Sequence, residues 1–266
     1  MPTSNLSALI VGAGAVQNAW APVIRALQPE FEFDIDGDCA NSYLARLVYL
    51  LRWWYASDSP QAEEHRRQHL DYLNHIKTRI AEELRLAQTS GELCIRPKFY
   101  ELIDQFVVQK DSDASFMLVN TNWDTVVDTA MGQHLRKTDD GDIYGLHIHG
   151  SIDDERLLYL PSEWTREPYR SKDEDELIGT IHGDTMRGLE NASRVVIYGL
   201  SLSPLDAELL QILACGFSNP NLSEIHVIVP DHKLVATRVR LLLDPEQDVR
   251  IIGHDARDFG KTFNYR

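Results

Sequence analysis

Apolar residues crowd six short stretches of the chain so densely that each reads as a strand buried on both faces, the pattern of a parallel sheet. These are Leu6–Val11, Ser115–Asn120 and residues 143–148, 194–199, 225–229 and 249–252. Between them apolar positions recur at three and four, which predicts helices. One runs over residues 15–27 and stops at Pro29; others carry Val126, Val127 and Ala130, or Leu234, Val235 and Val239. Ser203-Pro204-Leu205-Asp206 opens another, with a serine cap, a proline in the first turn and a carboxylate three residues past the cap. Residues 31–35 and 157–160 fit two further short strands, and the acidic run 173–176 fits a solvated face.

Residues 41–110 depart from this alternation. Leu44, Leu47, Val48, Leu51, Trp54 and Tyr55 form one stripe, and Leu70, Leu73, Ile76, Ile80 and Leu84 form a second. A third helix follows Pro97 with Phe99, Leu102, Ile103 and Phe106 on its inner face. Trp53-Trp54-Tyr55 reads as core, and His65 with His69 as a solvated helix face rather than a metal pair. Strands alternating with helices predict an α/β fold, a doubly wound, mostly parallel Rossmann-like sheet. Residues 1–38 and 115–266 would form the Rossmann-like domain, and 39–114 a helical insertion that covers the sheet's ligand end or builds an oligomer contact.

Composition narrows the function. The 266 residues are 43% apolar and 25% charged, ordinary for a globular chain. No stretch approaches the roughly 18 unbroken apolar residues of a membrane span. Met1-Pro2-Thr3-Ser4-Asn5 carries no basic, apolar leader, so the expectation is a soluble cytoplasmic protein. A net charge of −15 disfavours nucleic-acid binding, which needs a basic face. Cys39, Cys94 and Cys215 lie far apart, so the 3 cysteines form neither a disulfide framework nor a zinc module.

Chemistry gathers at strand ends. Gly12-Ala13-Gly14 follows the first strand, the place where backbone N–H groups and a helix N-terminus can meet a phosphate, or where a tight turn merely packs a helix. Asp34 and Asp36 stand about twenty residues on, where a dinucleotide fold puts its ribose acid, which keeps a dehydrogenase in play. Gln17 in place of a third glycine weighs against that. Asn122 and Asp124 can hold ribose hydroxyls or a carboxamide, or cap the next helix; the sequence leaves both open. His147 and His149 share a strand face, and only position favours His149, at the strand's end beside Gly150. Ser201, after Gly199, offers a donor opposite the first turn.

Taken in order, Gly12-Ala13-Gly14-Ala15, Thr121-Asn122-Trp123-Asp124, Ile148-His149-Gly150-Ser151 and 199–206 (Gly-Leu-Ser-Leu-Ser-Pro-Leu-Asp) resemble the sirtuin-like domains of bacterial NAD-consuming proteins, many of them anti-phage effectors. The likeness covers about two thirds of the chain and leaves the helical block unmatched. It implies that Gly12, Ala13, Gly14 and Ala15 line the pyrophosphate, with Gly199 and Ser201 facing them. Thr121, Asn122 and Asp124 would hold nicotinamide and its ribose, His149 would be the general base, and Asp231 would meet the adenosine ribose.

Deacylating sirtuins generally carry a four-cysteine zinc module that three scattered cysteines do not build. The resemblance therefore implies a zinc-free NAD⁺ hydrolase giving nicotinamide and ADP-ribose (or its cyclic isomer), with NAD as substrate. A non-catalytic NAD or ADP-ribose sensor, a protein deacylase or ADP-ribosyltransferase, and a dehydrogenase are the alternatives. Because unrestrained NAD hydrolysis would poison its own cell, control through a homo-oligomer or an activating protein partner is expected, with the helical block as its surface.

Overall fold

The computed structural model describes residues 6–107, 115–135 and 145–265. Its strands in chain order are β1 (Leu6–Val11), β2 (Val16–Gln17), β3 (Cys94–Ile95), β4 (Ser115–Asn120), β5 (Leu146–His147), β6 (Ala192–Tyr198), β7 (Glu224–Ile228), β8 (Arg250–Asp255) and β9 (Asp258–Tyr265). Its helices are α1 (Ala21–Leu27), α2 (Gly37–Tyr55), α3 (Ala62–Thr89), α4 (Phe99–Leu102), α5 (Val126–Leu135), α6 (Lys172–Leu189), α7 (Ala207–Phe217) and α8 (His232–Arg240). Seven strands form one sheet in the order β5-β4-β1-β6-β7-β8-β9, parallel except for β9. Strands β2 and β3 pair separately as a small antiparallel ribbon.

Alternation along β1 builds two layers. Leu9 and Val11 face one apolar cluster, shared with α1 to α5; Ala8 and Ile10 face another, shared with α6, α7 and α8. This is a doubly wound α/β fold with a Rossmann-like sheet. The helical segment after residue 37 is one of its two covering layers, since Leu44, Leu51, Ile76 and Ile80 join the same core as β1.

Chain order reverses between β1 and β6, which lie side by side although β4 and β5 come between them in sequence. In open α/β sheets the crevice beyond such a switch takes the ligand. Register makes the strand ends level there: Val11 pairs with Asn120 on one side and Tyr198 on the other, and Asn120 pairs with His147.

Several expectations are corrected. Residues 31–35 form no strand; β1's neighbours are β4 and β6, and Phe31 packs edge-on against Tyr43. Asp34 is exposed and Asp36 caps α2 through Cys39 N–H, so neither is a ribose acid. The first helix begins at Ala21, after a 3₁₀ turn, β2 and Asn18 at φ 58°, so no helix N-terminus follows Gly14 directly. Residues 158–160 are buried but unladdered, because Leu160 N–H binds the Glu163 carboxylate. Trp53 is 69% exposed rather than core. The acidic run is solvent-facing, as expected, and opens α6, where a Ser171–Glu174 capping box and the helix dipole favour it. Helix α7 starts at Ala207, one turn later than the Ser203 signal, and β9 extends the sheet beyond the expected last strand. Residues 143 and 144 of the expected fifth strand lie outside the described residues. Among the described residues no helix is long and apolar enough to cross a membrane.

Candidate functional site

Beyond the level ends of β1, β4, β5 and β6 lies a cavity of about 580 Å³. Ala13, Gly14, Thr121, Asn122, Asp124, His149, Gly199 and Ser201 line it, so eight of the residues singled out by sequence share one space. Gly12 and Ala15 sit behind this wall, both buried. Asp231 is elsewhere: exposed at the end of β7, its carboxylate accepts Leu234 N–H at 3.3 Å and caps α8.

The glycine turns serve packing, one of the two readings their pattern left open. Gly12 N–H donates to Tyr198 O at 2.9 Å, Gly14 N–H to Gly199 O at 2.8 Å, and Ala15 N–H to Gly12 O at 2.9 Å. Those donors are spent inside the protein. A Cβ on Gly12 or Gly14 would stand 2.8 Å from the Gly199 backbone, and Gly199 itself holds φ 63°. The glycines let two turns interlock at the switch point.

His149 is 8% exposed. Its Nδ1 lies 3.1 Å from Thr121 O, a carbonyl that can only accept, so Nδ1 carries the proton and Nε2 presents its lone pair. Nε2 has no hydrogen-bond partner among the described residues, though Asp206 Oδ1 stands 3.4 Å away. The ring stacks on Tyr159 at 5.7 Å between centroids. His147 contrasts with it. Its Nδ1 faces Asn122 O at 3.1 Å and its Nε2 the Asp128 carboxylate at 2.9 Å, so both nitrogens donate. Burial opposes its charge, but Asp128 wins and raises the His147 pKa. His147 is a buttress, and the choice between the two histidines falls to His149.

Asn122 Nδ2 is buried without a partner among the described residues, while Asn122 N–H is held by Asn120 Oδ1 at 3.0 Å. Asp124 takes the capping role, Oδ1 accepting Val126 N–H at 3.0 Å at the start of α5, and the residue also lines the cavity. Burial pushes its carboxyl up to about 6, against the pull of His147 and with the push of Asp128. The Thr121 hydroxyl is committed to Val11 O at 3.0 Å. Gly150, at φ 69°, gives no ligand room, because a Cβ there would overlap the Leu157 carbonyl.

Tyr159, Asp206 and Arg96 also reach the cavity; Asp206 reads from sequence as part of a helix start, and none of the three is assigned to a ligand there. Asp206 closes a quoted motif, but its approach to His149 depends on α7 starting after it. Tyr159 arrives on a strap, residues 151–170, whose buried Glu163 and Glu167 meet Lys77 of α3 and Arg52 of α2. Residues 163–169 are expected from sequence to reach back over the site; no sequence signal marks their partners Lys77 and Arg52. Neither a family model nor a curated protein matches the chain.

Proposed function

We propose that this chain is a sirtuin-like NAD⁺ hydrolase, cleaving the nicotinamide–ribose bond with water. One observation carries the reading: His149 and Asn122, which line one cavity at the switch point, each hold a buried polar atom without a hydrogen-bond partner among the described residues (Nε2 and Nδ2), and Asp124 beside them carries a carboxyl raised to about 6. Buried polar atoms are normally paired, so an unmatched donor and acceptor sharing a cavity are what a polar ligand would satisfy.

The chemistry assigns each a role. As the C–N bond breaks, nicotinamide leaves with the bonding electrons as a neutral amide, and positive charge grows on the ribose. The Asp124 carboxylate, when ionised, stabilises that charge. Asn122 holds the carboxamide or a ribose hydroxyl. His149 takes the proton of the attacking water, whose oxygen bonds to the ribose carbon, and Asp206 steadies the imidazolium that results. The products are ADP-ribose, nicotinamide and a proton.

Product analysis after mixing protein and NAD⁺ tests this. Nicotinamide should appear in equimolar amount with ADP-ribose, and His149→Ala should slow its release by roughly 10²–10⁴-fold. Binding without product would make the chain a sensor instead. We propose further that turnover is restrained by assembly or an activating partner, as befits an NAD-depleting defence effector; a dilute monomer as active as any assembly would refute this.

A further inference from the structure

The cavity holds a cation that the proposed reaction does not use. Among the described residues lining it, Asp38, Asp124 and Asp206 are carboxylates and Arg96 is the single permanent cation. Arg96 belongs to the turn after β3, in the segment that matched no motif. It is fastened to the glycine turn twice: its backbone N–H donates to Ala15 O at 2.9 Å and its Nε to Gly14 O at 2.7 Å. The remaining guanidinium N–H donors make no ion pair with any described residue. Most other arginines behave differently: Arg25, Arg52, Arg67, Arg79, Arg85 and Arg250 all meet carboxylates. Arg46, Arg166, Arg238, Arg240 and Arg257 also make no carboxylate pair among the described residues, but of these arginines Arg96 is the one that lines the cavity.

The glycine turn has little left to offer an anion, since the N–H groups of Gly12, Gly14 and Ala15 are engaged and it carries no charged side chain. A guanidinium pinned by Nε presents its outer nitrogens as a fork, the geometry that meets phosphate oxygens two at a time. We infer that Arg96 anchors the diphosphate of the dinucleotide, so that the helical segment completes the binding site through one residue. The inference rests on the NAD reading but names a subsite that can be probed without cleavage.

Titration calorimetry with ADP, AMP and adenosine tests it on the intact chain. The wild-type protein should bind ADP more tightly than AMP, and AMP more tightly than adenosine. Arg96→Gln should weaken ADP roughly tenfold or more while leaving adenosine unchanged, and Arg96→Lys should recover only part of the loss, since a point charge lacks the fork. An unchanged melting temperature excludes a folding defect; if Arg96→Gln unfolds, Arg96→Lys with its charge retained carries the comparison. Equal affinity of wild type and Arg96→Gln for ADP overturns the inference, as does equal binding of ADP and adenosine by the wild type. ADP binding that depends on Arg96 alongside no nicotinamide release would keep this subsite and sink the hydrolase.

Discussion

At Asp124 one side chain answers to two masters. It caps α5 and faces the cavity, and burial has lifted its carboxyl to about 6. A carboxyl whose folded value is raised stabilises the protein at low pH and loses that contribution as pH rises through about 6. The displacement from an ordinary aspartate corresponds to on the order of 3 kcal/mol against the charged form. Asp124→Asn keeps a cap oxygen and removes the charge, so the variant should melt higher than wild type at pH 8, with the gain shrinking toward pH 4. Nicotinamide release should instead fall, and the wild-type rate should climb across pH 5–7 as Asp124 ionises. An asparagine variant no more stable at pH 8 would show that Asp124 is not strained by its burial. None of this is legible in the letters: asparagine, aspartate and histidine announce chemistry at a strand end, but which histidine is buttressed and which is bare depends on Asp128 and Thr121, placed by tertiary packing.

Elements were easier to read than their ends. β1 and β4 match their apolar stretches because a strand buried on both faces needs no partner to declare itself. Helix starts were misplaced at Ala21 and Ala207, where tight turns at Asn18 and Leu202, both at positive φ, delay the helix beyond its composition signal. The Gly-x-Gly pattern signalled a close backbone approach, and the structure supplies one, to the Gly199 turn. Gly199→Ala tests that interlock. Its methyl would press into the Gly14–Ala15 backbone at a φ alanine tolerates poorly, so a loss of about 2 kcal/mol or more is expected in denaturant unfolding. A neutral substitution would mean the turns are not locked together.

Across the whole molecule, the helical layer and the sheet's ligand edge are joined by the strap. Arg52 of α2 grips Glu167, whose side chain is fully buried, and stacks over Trp164 at 4.4 Å. Arg52→Met would strand a buried carboxylate, which costs about 3 kcal/mol or more and lowers Tm on the order of 10 °C. The double variant with Glu167→Met should recover much of that, because no lone charge remains. Additive losses in the cycle would show that the two act separately. The Arg52–Glu167 coupling spans more than a hundred residues and leaves no local trace, which is why the strap's reach over the site is legible in the sequence but the layer it clamps is not.

The pairing of Leu6 with Ala192 has a consequence for synthesis. The wall formed by the first and second glycine turns exists only after β6 reaches β1, so a chain emerging from the ribosome has no cavity until most of it has been made. Truncated or stalled products would therefore lack the walled cavity; on the proposed hydrolase reading, late closure would confine NAD cleavage to finished copies.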